Sequence, residues 1–280
     1  MDVGWCIFLG FSLAFAWLLR FVVCLKEQTR AELSILRLRE EQTREELVLL
    51  RSRAGRLVSV EALAKARRSV FTISPSHHEA PVGVGVFVAA GKAVTAAHNL
   101  SSPTPSSVFC SFGPADTSGA PAEGFRLRVV SRDDELDLAV LECEGSYVHQ
   151  HFLSPMEGSP DRLVGESMAL CAFQLALRED LPEFDASLGV MPAVGIKVSS
   201  AARHVVYSCS TWGGDSGGAL LLHDGELVGI HLALVNALHE TLDRKLDVGE
   251  RLDSVEASLN ELVRGVSNGC VALLASQFPN

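Results

Sequence analysis

The chain has 280 residues, of which 48 % are hydrophobic and 21 % are charged, a composition that excludes a disordered chain and a small disulfide-built scaffold. Residues 1–68 contain 12 basic and 8 acidic residues, a net charge of +4, which leaves −14 for residues 69–280 in a chain of net charge −10. The acidic main part lacks the clustered Lys and Arg that neutralise phosphates, so we predict no nucleic acid partner.

The N-terminal segment is long and apolar enough to cross a membrane. Residues 3–19 have no charged side chain, and the stretch extends to residue 25 when Arg20 snorkels to the interface. As a helix, residues 3–25 would be about 34 Å long, against a hydrocarbon core of about 30 Å. We expect residues 1–25 to be an uncleaved transmembrane anchor, with a cleaved signal peptide and a soluble core helix as the alternatives. Basic residues follow the segment, which predicts a single-pass protein with its main part on the cytoplasmic side.

A repeat follows the apolar segment. Residues 27–40 and 41–54 are two copies of a two-heptad unit with nine identical positions. Leucines fall at a and d spacing within each copy, but polar residues interrupt the seam between the copies. The pattern predicts a helical stalk over residues 26–67, either a homo-oligomerising coiled coil through residues 27–57 or a solitary solvated helix.

Beyond Arg68 the pattern becomes strand-like, with short runs rich in Val, Ile and Phe between Gly, Pro, Ser and Asp. Two groups of runs, separated by a loop rich in Pro and Ser, predict a mainly β barrel or sandwich in two lobes over residues 68–237. The candidate strands cover residues 69–73, 82–88, 92–95, 108–112, 125–131 and 138–142 in the first group, and 167–173, 194–199, 204–209, 219–222 and 226–232 in the second.

The C-terminal part returns to helical spacing, with Leu252, Val255, Leu259 and Leu262 on one face. We expect residues 238–280 to form a C-terminal helix and tail, the helix either packing on the second lobe or binding a partner helix. The apolar run 270–276 predicts a short strand that returns to the second lobe.

Three short motifs lie within the β-rich part. TAAH ends at His98 just after a candidate strand, DLAVL begins at Asp137 at the start of another, and GDSGG places Ser216 in a glycine-rich turn. Each motif alone is weak, because a lone histidine or a Gly-Ser turn is common in loops. Their joint occurrence in this order indicates a catalytic site.

The three motifs resemble those of the trypsin/chymotrypsin-like serine peptidases, and their close spacing resembles the compact glutamyl-endopeptidase-like, HtrA-type and viral members. The resemblance covers roughly residues 68–235 and implies a chymotrypsin-like double β-barrel with the active site between the barrels. It also implies a triad of His98, Asp137 and Ser216, with an oxyanion hole formed by the N–H groups of Gly214 and Ser216.

The chemistry explains why these residue types occur together. A serine hydroxyl is a weak nucleophile, so a histidine has to take its proton, and an aspartate holds the imidazole in the right tautomer. We therefore predict a serine endopeptidase that hydrolyses protein or peptide substrates and uses no cofactor. The alternative is a catalytically silent barrel that acts as a membrane-tethered binding or scaffold protein.

By the same resemblance, Ser210 and Thr211 line one side of the primary specificity pocket, and His231 and Leu234 line the other. A histidine N–H donates to a carboxylate or an amide oxygen, which favours Glu or Gln before the scissile bond. Two alternatives stay open: a small apolar residue in a pocket narrowed by Leu234, and a His231 that only packs. The net charge of −14 on residues 69–280 opposes acidic substrates at long range.

Other reactive side chains are predicted to have no site of their own. The seven cysteines show neither a C-x-x-C pair nor zinc spacing, so we expect free thiols and a reducing compartment. Histidines at 77, 78, 149 and 151 lack acidic or cysteine partners at ligand spacing, so we predict no metal site. Asn99 begins an N-x-S sequon, which we interpret as accidental because a glycan beside His98 would obstruct the cleft.

Overall fold

The computed structural model describes residues 57–76, 79–112, 124–145, 148–173, 188–211 and 213–279. The predicted anchor over residues 1–25 and most of the predicted stalk over residues 26–67 lie outside this part of the chain. Among the residues described, no helix is both long and apolar enough to cross a membrane.

The described residues form twelve β-strands and three α-helices. The helices are α1 (Val60–Ser69), α2 (Val235–Asp247) and α3 (Ser254–Val263). The first six strands are β1 (Val70–Ser74), β2 (Gly83–Ala89), β3 (Lys92–Ala96), β4 (Ser107–Ser111), β5 (Phe125–Asp133) and β6 (Leu138–Cys143). The last six are β7 (Ser167–Ala172), β8 (Gly189–Val198), β9 (His204–Ser208), β10 (Ala219–Leu221), β11 (Leu227–Leu234) and β12 (Cys270–Leu274).

The strands form two closed barrels, in the order β1-β2-β3-β6-β5-β4 in the first and β10-β11-β12-β9-β8-β7 in the second. This arrangement confirms the predicted mainly β double barrel. The largest difference from the predicted strands is at β8, which begins at Gly189 instead of residue 194. The physical reason is Pro192, which lies inside the strand with its side chain exposed and interrupts the strand pattern in the sequence.

Phenylalanines fill the first barrel. Phe71 and Phe87 are fully buried with ring centroids 5.0 Å apart, and Phe112 and Phe125 pack against both. All five residues of β1 are buried, because Val70 on its other face joins the core of the second barrel. Thr72 and Ser74 are polar although buried, so β1 is buried on both faces without being a continuous apolar run.

One hydrophobic cluster holds the two barrels together. It joins Leu170, Leu220 and Ile230 of the second barrel to Val84 and Val94 of the first. Since burial of apolar surface is the dominant favourable contribution to packing, this shared cluster fixes the strands of the first barrel against those of the second. The candidate active site described below lies at the same boundary.

The C-terminal part contains the strand predicted for the run 270–276, as β12, but two helices in place of the single predicted one. Helices α2 and α3 lie between β11 and β12 in the chain, and β12 pairs with both β11 and β9 to close the second barrel. Residues 238–280 therefore hold most of α2, all of α3 and a barrel strand, and the predicted boundary at residue 237 cuts through the second barrel. Helical periodicity shows that a helix exists, but it does not show that a strand after the helix pairs with strands before it.

Helix α1 packs on the second barrel before the chain enters the first. The side chain of Ser59 accepts the N–H of Ala62 to cap the helix, and the backbone N–H of Ser59 donates to the carbonyl of His223 at 2.8 Å. Val58 and Ala62 contact Ala169 of β7. The last residues of the predicted stalk are therefore part of the same compact unit as the barrels.

Candidate active site

His98 lies just beyond β3, in the short 3-10 turn Ala97–Asn99. Strands β3 and β6 pair so that Ala96 is opposite Leu138, which places the start of β6 beside this turn. The His98 side chain is 48 % exposed. The histidine thus sits at the edge of the first barrel, open to solvent and next to the residue that precedes β6.

That residue is Asp137, whose carboxylate contacts His98 at two points. Its Oδ1 accepts the backbone N–H of His98 at 2.9 Å, and its Oδ2 accepts Nδ1–H at 2.7 Å. Asp137 has a φ of 52°, in the left-handed region that residues other than glycine rarely adopt. The double contact fixes the orientation of the ring and places its hydrogen on Nδ1, which leaves Nε2 as the basic nitrogen.

Ser216 lies in the turn before β10, between Gly214 and Gly217, which both have a φ of 86°. A Cβ added to Gly217 would lie 1.9 Å from the carbonyl oxygen of Val84, so this approach of the two barrels requires glycine. The Ser216 hydroxyl donates to the carbonyl of Leu232 on β11 at 3.2 Å. Among the residues described, no hydrogen bond joins this hydroxyl to the histidine.

The backbone of Ser216 is held against the first barrel. Its carbonyl oxygen accepts the N–H of Val84 at 2.9 Å and the side-chain amide of Asn99, also at 2.9 Å. Asn99 directly follows His98 in the chain. The structure therefore brings His98, Asp137 and Ser216 to one place at the boundary of the barrels.

The four predicted pocket residues differ in environment. Ser210 is exposed and Thr211 is half-buried, with its hydroxyl 3.5 Å from the thiol of Cys270 on β12. Leu234 ends β11 and is 45 % exposed, whereas His231 on the same strand is only 3 % exposed. Cys270 is therefore a neighbour of the predicted pocket that the sequence analysis misses.

His231 and Tyr207 form a buried polar pair. The Tyr207 hydroxyl lies 2.8 Å from Nδ1 of His231. Burial, and after it the charge of His98, lower the pKa of His231 to about 4, so its ring is neutral at pH 7. Burial, followed by the charges of Cys270, Cys209 and Asp215, raises the pKa of Tyr207 well above its ordinary value, so the hydroxyl keeps its proton.

This pairing decides the tautomer of His231. Among the residues described, the hydroxyl hydrogen of Tyr207 has no other acceptor than Nδ1 of His231. Because Nδ1 accepts, the ring hydrogen lies on Nε2. The backbone of His231 accepts the N–H of Gly217 at 2.7 Å and donates to the carbonyl of Gly218 at 2.8 Å, which places this residue beside the turn that bears Ser216. His231 thus carries a neutral N–H donor near the triad.

The sequence analysis misses the roles of Tyr207, Cys270 and Asn99. A tyrosine within an apolar strand needs a partner for its hydroxyl, and this is the signal that points to Tyr207. In the sequence, the only feature of Asn99 is that it begins a sequon. In the structure, its side chain is buried and hydrogen-bonded to Ser216. No local pattern indicates the contact of Cys270 with Thr211, since the two residues are 59 positions apart.

The described cysteines agree with the expectation of free thiols. Cys110, Cys143, Cys171, Cys209 and Cys270 are all unbridged, and three of them are buried. Burial raises the pKa of Cys171 to about 12, so its thiol stays protonated at pH 7.

The family model of the trypsin-like peptidase domain matches residues 83–230, more than half of the chain. The chain belongs to the trypsin-like peptidase family. The matched part runs from β2 into β11 and contains His98, Asp137 and Ser216, but it ends before α2, α3 and β12. A search of curated proteins found no match to this peptidase-family chain.

Several solved protease structures are similar to this trypsin-like peptidase. The active form of the Rv3671c protease from M. tuberculosis is 17 % identical, with a TM-score of 0.48 over 79 % of this chain and 82 % of that chain. The apo MamO protease domain from Magnetospirillum magneticum is 18 % identical, with a TM-score of 0.46 over 61 % and 87 % of the two chains. Deg5 is 18 % identical, with a TM-score of 0.48 over 62 % and 83 %.

Proposed function

We propose that this protein is a serine endopeptidase that hydrolyses peptide bonds through His98, Asp137 and Ser216. The observation that carries the proposal is the two-point contact of the Asp137 carboxylate with His98, at 2.9 and 2.7 Å. This contact leaves Nε2 of His98 as the proton acceptor and stabilises the imidazolium that forms when Nε2 is protonated.

Attack begins when the Ser216 hydroxyl leaves the carbonyl of Leu232, to which it donates at 3.2 Å, and donates to Nε2 of His98 instead. This requires rotation about the Cα–Cβ bond of Ser216, while Val84 and Asn99 keep hold of its carbonyl. As Oγ bonds to the carbonyl carbon of the substrate, its proton passes to Nε2.

The carbonyl oxygen of the substrate becomes an oxyanion at this step. The backbone N–H groups of Gly214 and Ser216 are the proposed donors to it, in a turn whose conformation depends on the positive φ of Gly214. The imidazolium then protonates the leaving amine. Water hydrolyses the acyl-enzyme with His98 again acting as the base.

We propose that the enzyme prefers Glu or Gln before the scissile bond, and Gln more than Glu. The support is the neutral Nε2–H of His231, which donates to a side-chain oxygen of either residue. A carboxylate that enters a buried site needs a compensating positive charge, and the lowered pKa of His231 keeps its ring uncharged. An amide oxygen needs no such charge.

The N-terminal sequence supports two further parts of the proposal, which are membrane attachment and association of copies of the chain. Residues 3–25 tether the enzyme to a membrane as a single-pass anchor, with the peptidase on the cytoplasmic side, because the basic residues follow the apolar run. The heptad repeat associates copies of the chain through residues 27–57.

A fluorophosphonate probe tests the nucleophile, because it reacts covalently with an activated serine. The wild type should be labelled, and Ser216→Ala should not. His98→Ala and Ser216→Ala should each lower peptide turnover by roughly 10⁶-fold. Ser200→Ala, an exposed serine between β8 and β9, is the matched control. Equal labelling of Ser216→Ala would refute this nucleophile, and an unlabelled wild type would favour the silent binding barrel.

A peptide library that varies the residue before the scissile bond tests the specificity. We expect Gln to be cleaved fastest and the preference to disappear in His231→Ala. His151→Ala, an exposed histidine of the first barrel region, should leave the preference intact. Indifference of the wild type to this residue would refute the role of His231.

Tagged termini test the tether. Protease is added to the cytoplasmic side of intact membranes. If the peptidase faces the cytoplasm, the protease should remove a C-terminal tag. Protection of the C-terminal tag would contradict the topology, and loss of the chain on carbonate washing would contradict the anchor.

Sedimentation in detergent should show an oligomer that Leu33→Asp with Leu47→Asp dissociates.

A further inference from the structure

Asn99 occupies an unusual position beside the triad. It directly follows His98 at the end of the 3-10 turn, yet it is only 7 % exposed while His98 is open to solvent. Its Nδ2 donates to the carbonyl of Ser216 at 2.9 Å and to the hydroxyl of Thr95 at 3.0 Å. A single side chain in the histidine's own turn therefore contacts the backbone of the nucleophile on the other barrel.

The hydrogen-bond network fixes the orientation of the Asn99 amide. The carbonyl of Ser216 is only an acceptor. The hydroxyl of Thr95 donates to the carbonyl of Val84 at 2.7 Å, so toward Asn99 it acts as an acceptor. Both amide hydrogens are thus required, and an oxygen in the position of Nδ2 would face two acceptors.

Gly83 makes room for this side chain. A Cβ added at Gly83 would lie 2.2 Å from Cγ of Asn99, closer than any real contact. Gly83 begins β2, and the next residue, Val84, donates to the same carbonyl of Ser216. The Asn99 amide and the Val84 N–H therefore hold the nucleophile's carbonyl from two neighbouring positions of the first barrel.

We propose that Asn99 is a positioning residue that fixes the backbone of Ser216 relative to His98 across the boundary between the barrels. This inference rests on the proposed peptidase function, and it adds a residue whose only visible sequence feature is a sequon. The amide hydrogens are already used and the side chain is buried, so the folded protein does not present Asn99 for glycosylation.

The proposal predicts a loss of rate that is not matched by a loss of binding. The nucleophile and the histidine reside on different barrels, and a shift of about 1 Å at a reacting group can cost about 10²-fold in rate. Asn99→Asp replaces a donor with an acceptor at nearly constant volume. We expect kcat to fall about 10- to 100-fold, with KM changed far less, because Asn99 touches no substrate.

The pH dependence of Asn99→Asp distinguishes this role from general destabilisation. A carboxyl buried between two acceptors has a raised pKa, and only its protonated form can donate to the carbonyl of Ser216. The ratio of mutant to wild-type kcat should therefore rise as the pH falls through that pKa. Comparison with wild type at each pH removes the common effect of protonating His98.

Amide hydrogen exchange tests whether Asn99 fixes the backbone of Ser216, and it does so without relying on catalysis. In Asn99→Asp at neutral pH, the Val84 N–H should exchange at least about tenfold faster, because its acceptor has moved, while amides of the second-barrel strand β9, which do not contact Asn99, keep their protection. If Asn99→Asp does not fold, Asn99→Ala removes the donor without adding a charge. This variant should show the same fall in kcat and the same faster exchange of the Val84 N–H. Asn236→Asp, an exposed asparagine of α2, is the matched control.

The outcomes separate the two proposals. An unlabelled wild type overturns the peptidase function, and Val84 exchange then decides whether Asn99 fixes the Ser216 backbone. A labelled wild type, with unchanged kcat and unchanged Val84 exchange in the Asn99 variants, overturns the role of Asn99 and leaves the peptidase function intact. Equal proportional changes in kcat and KM, with no pH dependence of the mutant to wild-type ratio, also contradict positioning.

Discussion

In the first barrel, the two predicted catalytic groups meet through one strand pair, whereas in the second barrel the polar pair of His231 and Tyr207 joins two strands that do not pair with each other. Ala96 of β3 is opposite Leu138 of β6, so the turns that bear His98 and Asp137 are neighbours by backbone pairing alone. In the second barrel, His231 meets Tyr207 from β9, a strand that pairs with β12 and not with β11.

The comparison shows two ways to hold a reacting group. Backbone pairing fixes the histidine and the aspartate of the first barrel in an exposed position, where the imidazole stays accessible to substrate. In the second barrel two histidines are buried, and burial lowers the pKa of both His204 and His231 to about 4. We therefore expect changes at the His98–Asp137 pair to act on the rate of the chemistry, and changes at the buried histidines of the second barrel to act on stability and specificity.

Among the changes that test this comparison, the largest effect is expected from Asp137→Asn in the first barrel. An amide cannot accept from both the backbone N–H and Nδ1–H of His98 as the carboxylate does. The hydrogen of the ring is then no longer held on Nδ1, and kcat should fall about 10⁴-fold. Steady-state kinetics measure it, with Asp134→Asn in the same exposed turn as the control. A fall of less than about tenfold would mean that the strand pair alone orients the histidine.

The second effect is acid sensitivity of the second barrel. The pKa values of His204 and His231 are lowered by burial to about 4, against about 6.5 in an unfolded chain. Below pH 6.5 the unfolded state binds more protons, so stability should fall between pH 6.5 and 4 by up to about 3 kcal/mol for each histidine. Urea unfolding across this range measures the loss.

His204→Leu sharpens that prediction. Among the residues described, both ring nitrogens of His204 lack a hydrogen-bond partner, so leucine removes the titration without breaking a bond. The variant should lose less stability than the wild type between pH 6.5 and 4, by roughly the contribution of one histidine. An identical loss in both proteins would contradict the assignment of the effect to His204.

A smaller effect is expected from Tyr207→Phe, which removes the hydroxyl that fixes the tautomer of His231. The selectivity for Gln over Ala before the scissile bond, measured as a ratio of kcat/KM values, should fall about tenfold, in line with the loss of one hydrogen bond. Tyr147→Phe at the other tyrosine of the chain is the control. Unchanged selectivity would show that His231 keeps its donor without Tyr207.

The smallest effect concerns the helices inserted between β11 and β12. Asp253 caps α3 and forms a capping box with Glu256. Asp253→Ala should lower the free energy of unfolding by about 1 kcal/mol, measured by denaturant titration, with the exposed Asp243→Ala on α2 as the control. No change would indicate that packing of α3 on the second barrel, through Val263 and Val206, is sufficient without the cap.

Much of the fold could be predicted because strand patterns and turn residues are local features. The runs that became β1 to β7 and β9 to β11 differ from the predicted ranges by only a few residues, and the three motifs name residues that the structure brings together at the boundary of the barrels. In the C-terminal part, the sequence predicts that the run 270–276 returns to the second lobe as a strand, but it does not predict which strands that strand pairs with. Whether Cys270–Leu274 closes the barrel depends on its pairing with β9 and β11, which is not a property of the run itself.

The sequence by itself determined the candidate reacting groups, since the chemical identities of His98, Asp137 and Ser216 and the glycines around the serine follow from the motifs. Only the tertiary structure decided what each group contacts. The partner of a buried polar side chain is selected by packing between residues far apart in the chain, as with Tyr207 and His231, or Asn99 and Ser216. A buried donor or acceptor has to be satisfied, and the fold alone determines which residue satisfies it.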